Sequence, residues 1–297
     1  MSHPRAVLWL MTTAVVWSVS ACSGAAGATE GAAGAVAPTA QQRAQWALPL
    51  DPYIASPVTT VITDYAENLL VEQCMNSEGI DWPIPRMDVS TLGSATMSPS
   101  GRTLLTQEGA QQYGYHSDPI LPTEVAAQMT TLGARQLNAT ETAAIDGCIA
   151  TARQTLPLPQ TDQLGAQLAN QALGTAEQDQ TVQEAAGRWR TCMAPQGVSD
   201  LPDAPQADGG GMPTDSMIAE FGIDDPGTEA GAAEIALAVA DQACRTSSGY
   251  DDALYTAEWA EQSALLTTNA DALVREGTAL SDYLTQARAV IAERTGA

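Results

Sequence analysis

"SPVTTVITDYAENLLVEQCMNSEG", residues 56–79, is the stretch on which the fold reading turns. Ser56 carries an oxygen that can cap a helix, and Pro57 suits the first helical position, where its missing N–H removes no hydrogen bond. Val58, Val61, Ile62, Tyr65 and Leu69 recur at helical spacing, and Gly79 supplies a left-handed stop. This spacing predicts a helix with Cys74 in its last turns. A second stretch, "TAEQDQTVQEAAGRWRTCMAPQG" (175–197), repeats the layout, with Thr175 as its cap, Val182, Trp189 and Met193 as core residues, Pro195 weakening the last turn and Gly197 as the stop. Both end in the same Cys-Met-x-x-x-Gly frame, at 74–79 and 192–197. The repeat reads as one structural task performed twice.

The compartment follows from the N-terminus. Arg5 precedes the apolar run "AVLWLMTTAVVWS", too short and too abruptly ended to span a bilayer, and the run closes on Val19-Ser20-Ala21-Cys22. These four residues resemble the bacterial lipobox, in which the cysteine receives a diacylglycerol before cleavage. Residues 1–21 are thus expected to be a lipoprotein signal peptide, with Cys22 the lipidated residue. Two acyl chains suffice for stable anchoring, at about 0.8 kcal/mol per buried methylene. Residues 22–45, rich in Ala and Gly, read as a flexible tether, with Thr29 and Thr39 as its possible glycosylation sites. The chain is expected to sit on the outer face of the cell membrane, its membrane partner reached through Cys22.

Outside the cytoplasm, Cys74, Cys148, Cys192 and Cys244 favour two disulfides over a metal site. Spacings of 74, 44 and 52 residues contain no close pair, and His116 is the one histidine behind the signal, so no metal and no cofactor is expected. Four cysteines allow three pairings. Cys148 and Cys244 lie in "NATETAAIDGCIATARQTL" (138–156) and "PGTEAGAAEIALAVADQACRTSSG" (226–249), both helical in pattern and each with an Asp shortly before its cysteine. If each Cys-Met helix packs against the next Asp-Cys helix, the bridges join Cys74 to Cys148 and Cys192 to Cys244. Each would restrict the unfolded chain by roughly 4 kcal/mol on the loop-entropy account.

Residues 46–297 are enough for one helical domain, or for two subdomains at 46–160 and 161–297. Thirty-five acids face 12 basic residues, all Arg, for a formal net charge of -23. A surface so acidic repels nucleic acid and anionic headgroups, so neither is expected as a partner. "DWPIPRMDVSTLGSATMSPSGR" (81–102) reads as irregular surface chain, and shorter helices are expected over 104–113, 123–132 and 161–173. Sustained alternation of β-branched and polar residues is missing. The expected class is all-α: a helical domain stapled by two disulfides, with a long C-terminal helix and little or no sheet.

That last helix spans residues 251–294. Trp259, Leu266, Leu273, Leu280 and Ala287 recur every seven residues, and Tyr255, Leu284 and Ile291 widen the seam at its ends. Gln262, Asn269 and Glu276 make its middle narrow and partly polar. The seam can pack on the domain, or its exposed face can recruit an envelope protein partner.

The ordered succession "CMNSEGIDWP", "AQQYGYHSDP", "GCIATARQTL", "GRWRTCMAPQGV" and "AVADQACRTSSGYDDAL", followed by the acidic helix, resembles a group of actinobacterial secreted proteins and lipoproteins of unassigned function. The likeness covers the chain from about Tyr65 onward. It implies an exported, disulfide-stapled, largely helical protein and brings no catalytic residues. The loop "VSDLPDAPQADGGGMPTDS" (198–216) departs from the group.

No catalytic frame emerges. His116 lies with Tyr113, Tyr115 and Asp118, without a Gly-x-Ser-x-Gly elbow to pair with. Asp224, Asp225 and Glu229, and the pair Asp251 and Asp252, read as solvated acids at helix starts rather than as acid-base pairs. Trp46, Trp82, Tyr113 and Tyr115 fall in segments that read as loops, where aromatics can stack on a ligand. The functional expectation is an accessory or interaction module at the cell envelope, or else a binding module for an envelope saccharide or small molecule through Trp82, Tyr113 and Tyr115.

Overall fold

In the computed structural model, residues 37–92, 98–102, 104–116, 120–159, 163–207, 210–223 and 228–296 are described. The expected signal peptide, Cys22, most of the expected tether, Asp118, Asp224 and Asp225 lie outside them. The last residues of the expected tether are helical: Thr39 caps α1 (Ala40–Ala44) through a reciprocal bond with Gln42.

The chain is all-α, as its periodicity predicts. Helix α2 (Pro57–Ser77) starts at Ser56, whose side chain accepts the Thr59 N–H, and stops at Gly79 with φ 77°. Next come α3 (Gln107–Tyr113), α4 (Thr123–Gly133) and α5 (Ala139–Thr155), the last capped by Asn138. The start of the second Cys-Met helix differs from the sequence reading. Thr175 lies inside α6 (Leu164–Ala176), and α7 (Gln180–Met193) begins at Asp179, whose carboxylate accepts the Thr181 and Val182 amides. Asp179 prevails because its carboxylate also meets the positive end of the new helix. A ladder of two-residue strands, β1 (Gln206–Ala207) and β2 (Gly210–Gly211), precedes α8 (Asp215–Phe221), α9 (Ala232–Ser248) and α10 (Tyr250–Thr295).

Both disulfides join Cys74 to Cys148 and Cys192 to Cys244, with Cα atoms 5.5 and 5.6 Å apart. They pin α2 to α5 and α7 to α9. Helix α10 runs along α2, α6, α7 and the turn at Asp51–Tyr53, so it crosses from the 161–297 part of the chain onto the 46–160 part. Its Tyr250, Leu254 and Tyr255 pack with Trp46 and Val182; Leu273 packs with Leu50 and Leu168; Tyr283, Ala287 and Ile291 pack with the α2–α5 core.

The polar middle of the seam docks backbone. Gln262 is fully buried and accepts the Leu50 N–H at 3.0 Å, while Glu276 accepts the Leu164 N–H at 2.9 Å, capping α6 where Gln163 does not. Asn269 departs from helical geometry (φ -112°, ψ 16°) and donates its side-chain amide to the Leu265 carbonyl, so α10 kinks there. No described helix is long and apolar enough to cross a membrane.

Candidate functional site

Helix α9 carries an unusual buried stripe. Glu234, Ala238, Asp241, Arg245 and Ser248 follow one another at steps of four, three, four and three, and all five are buried. That spacing ordinarily holds apolar residues. Here it holds charges, and the rest of the site is built on them.

Asp241 is fully buried and is surrounded by donors. Its Oδ1 accepts from Trp189 Nε1 at 2.7 Å and Arg245 Nε at 3.0 Å; its Oδ2 accepts from Arg245 Nη2 at 2.9 Å and the Tyr115 hydroxyl at 3.2 Å. Burial opposes the charge on Arg245, yet the facing Asp241, helped by Asp251, raises its pKa above the usual guanidinium range. Burial, then the Asp241 charge, pushes the Tyr115 hydroxyl up, so it remains a donor.

Glu234, also fully buried, draws in the segment after α3. Its Oε1 accepts the Tyr115 N–H at 2.8 Å, and its Oε2 lies 3.4 Å from His116 Nε2 without the alignment of a hydrogen bond. The chain can approach this closely because residue 114 is Gly: its φ is 60°, and a Cβ there would come within 2.9 Å of the Glu234 carboxyl carbon.

A second buried pair comes from α10. Glu258 accepts from Arg102 Nε at 3.1 and 3.3 Å and from Gln262 Nε2 at 3.2 Å. Burial raises the Glu258 pKa, against the pull of Arg102. Arg102 is 7% exposed, and its Nη2 is buried with no acceptor among the described residues.

These groups stand at one cleft. A cavity of about 700 Å³ lies between α3 and its flanking segments, α9 and the β1–β2 ladder, and its wall includes Arg102, Tyr113, Tyr115, His116 and Arg245. Leu104, Leu105, Leu173, Met212 and Ile223 are its larger aliphatic lining residues. The volume falls in the range that accommodates small organic ligands. Among the described residues, no group of three His, Cys, Asp or Glu side chains is placed to hold a metal.

The sequence-predicted aromatics separate. Tyr113 and Tyr115 line this cleft, half-buried. Trp82 lines another cavity of about 330 Å³, where the Arg135 guanidinium lies 5.3 Å from its ring centroid. Trp82 and Trp46 are 7% and 2% exposed and belong to the packed core. Their indoles bury too much apolar surface to be left in solvent.

Of the acids, Glu229 and Asp252 are exposed, but Asp251 is not the solvated cap its position suggests. Its Oδ1 lies 3.9 Å from Arg245 Nη1, and burial lifts its pKa to about 6 despite the Arg245 charge.

Arg102, Glu234, Arg245 and Glu258 have no part in the sequence reading, and Asp241 enters it only as the Asp before Cys244. One signal was available: acids and an arginine at core spacing on α9, with Asp241 four residues before Arg245. Nothing comparable marks Arg102, whose partner is 156 residues away. Comparison of the chain with protein-family models, curated proteins and solved structures finds no match.

Proposed function

We propose that this chain is a lipid-anchored extracytoplasmic protein that works as a binding module, its ligand site being the cleft lined by Arg102, Tyr113, Tyr115, His116 and Arg245. One observation carries the reading: the donors on the wall of the cleft are fixed from behind by carboxylates that are themselves fully buried, Glu234, Asp241 and Glu258. Burying so many charges is expensive for stability alone. It is the arrangement expected where side chains must be held ready for a ligand. Two disulfides suit an oxidising compartment, which supports export, and the Val-Ser-Ala-Cys frame at Cys22 supports the anchor.

An envelope partner recruited by residues 251–294 has less support. The apolar seam of α10 is covered within the chain, and Val274 is the large apolar side chain standing exposed on it among the described residues.

The test is a thermal-shift and calorimetric screen of the purified chain against envelope saccharides and small organic molecules, repeated with Tyr113→Ala. A saturable ligand weakened by that substitution is the expected result. A ligand indifferent to Tyr113 but lost in Trp82→Ala would move the site to the smaller cavity. Cell fractionation of Cys22→Ser tests the anchor, which predicts transfer from the membrane to the soluble fraction.

A further inference from the structure

We infer that the ligand of the cleft carries a single carboxylate, bound by Arg102, on an apolar body that lies against Leu104, Leu105 and Ile223. This rests on the binding reading above and names the ligand class for that same site.

The two buried arginines of the wall differ in how fully they are engaged. Arg245 gives two donors to Asp241 in a bidentate pairing, and its third nitrogen faces Asp251 at 3.9 Å. Arg102 gives Nε alone to Glu258, and its Nη2 has no acceptor among the described residues although the residue is more than nine-tenths buried. A guanidinium has five N–H donors in a planar fork that matches a carboxylate. Leaving a buried donor of a charged group unsatisfied is costly, so an acceptor brought by a ligand gains more at Arg102 than at any fully paired group of the wall.

Charge sets the number of anionic groups. Glu234, Asp241 and Glu258 stand behind the wall, Asp251 faces Arg245, and Glu108 is the one acid among the described residues of the lining. With a formal net charge of -23 around it, the site repels a multiply charged anion such as a phosphate ester. One carboxylate on Arg102 replaces a missing hydrogen bond and adds the least repulsion. The hydroxyl groups of a saccharide need acceptors as well as donors, whereas the Asp241 oxygens are already taken by Trp189, Arg245 and Tyr115. The apolar lining residues fit a hydrocarbon body.

The test uses four probes on the purified full chain, by calorimetry and thermal shift: hexanoate, its neutral analogue hexanamide, inorganic phosphate and N-acetylglucosamine. Saturable binding of hexanoate, at least tenfold tighter than hexanamide, with phosphate silent, is expected. Arg102→Gln should abolish the preference for the acid. Because that change also strips Glu258 of its partner and can unfold the chain, Leu105→Asp gives an independent check. It leaves the Arg102–Glu258 pair intact and should weaken hexanoate at least tenfold, while Leu105→Asn should weaken it less. Hexanamide binding as tightly as hexanoate, or N-acetylglucosamine binding while hexanoate is silent, overturns the carboxylate inference and leaves the binding module standing. Silence of all four probes overturns both.

Discussion

Replacing Asp241 by Asn keeps the shape of the side chain and removes its charge. The amide oxygen can still accept from Trp189 and from Arg245 Nε, but the amide nitrogen then faces Arg245 Nη2, donor against donor. Arg245, 3% exposed, keeps Asp251 as its one facing carboxylate among the described residues, at 3.9 Å. Breaking a buried ion pair from one side destabilises by about 3–5 kcal/mol, because the remaining charge stays desolvated. A chain of this length loses about 2–4 °C in Tm per kcal/mol, so the melting point should fall by roughly 6–20 °C. Urea unfolding at pH 7, followed by tryptophan fluorescence, measures this directly, since Trp189 bonds the altered group. The denaturant slope should not change. A double-mutant cycle with Arg245→Met isolates the cause. If the stranded guanidinium dominates, Asp241→Asn costs much less in the Arg245→Met background than alone. A loss below about 1 kcal/mol for Asp241→Asn, or additive single and double variants, would refute the buried-pair account.

Three further outcomes follow from the geometry. Gly114→Ala should lose about 2–4 kcal/mol by urea unfolding, because a Cβ at φ 60° meets the Glu234 carboxyl group; an unchanged midpoint would mean the segment after α3 can retreat without loss. Cys192→Ser with Cys244→Ser should cost about 4 kcal/mol on the loop-entropy account for a separation of 52 residues, and a loss under about 1 kcal/mol would show that packing of α7 on α9 suffices without the bridge. Asp251 gives a pH test. Its folded pKa, about 6, exceeds the ordinary 3.8, so the folded chain holds the proton more tightly. Its contribution is complete below about pH 4 and disappears as pH rises through 6. Relative to wild type, Asp251→Asn should therefore gain about 1–3 kcal/mol above pH 7 and little at pH 4; equal stability curves for both proteins would remove Asp251 from the titration.

The helices were legible because their signals are local. Ser56 with Pro57, Asn138 and the glycines at 79 and 197 act within one or two turns, and the long seam of 251–294 repeats often enough to show its period. The pairing of cysteines followed from placing whole helices beside one another, which needs no atomic detail. The second Cys-Met helix marks the limit of this reasoning: Thr175 and Asp179 are both acceptable caps in sequence, and only the turn that ends α6 decides for Asp179.

The site was not legible in the same way. Polar residues at core spacing in α9 look in sequence like interruptions of a hydrophobic face, and Asp251 looks like any acid at a helix start. Their roles depend on groups far away along the chain: Tyr115 is 126 residues from Asp241, and Arg102 is 156 from Glu258. Helical periodicity, helix caps and net charge are properties of neighbouring residues or of simple sums, so the sequence by itself determined them. Which charges are buried, which aromatic fills core and which lines the cleft were decided by the tertiary structure alone, because desolvation and pairing exist only once distant segments have met.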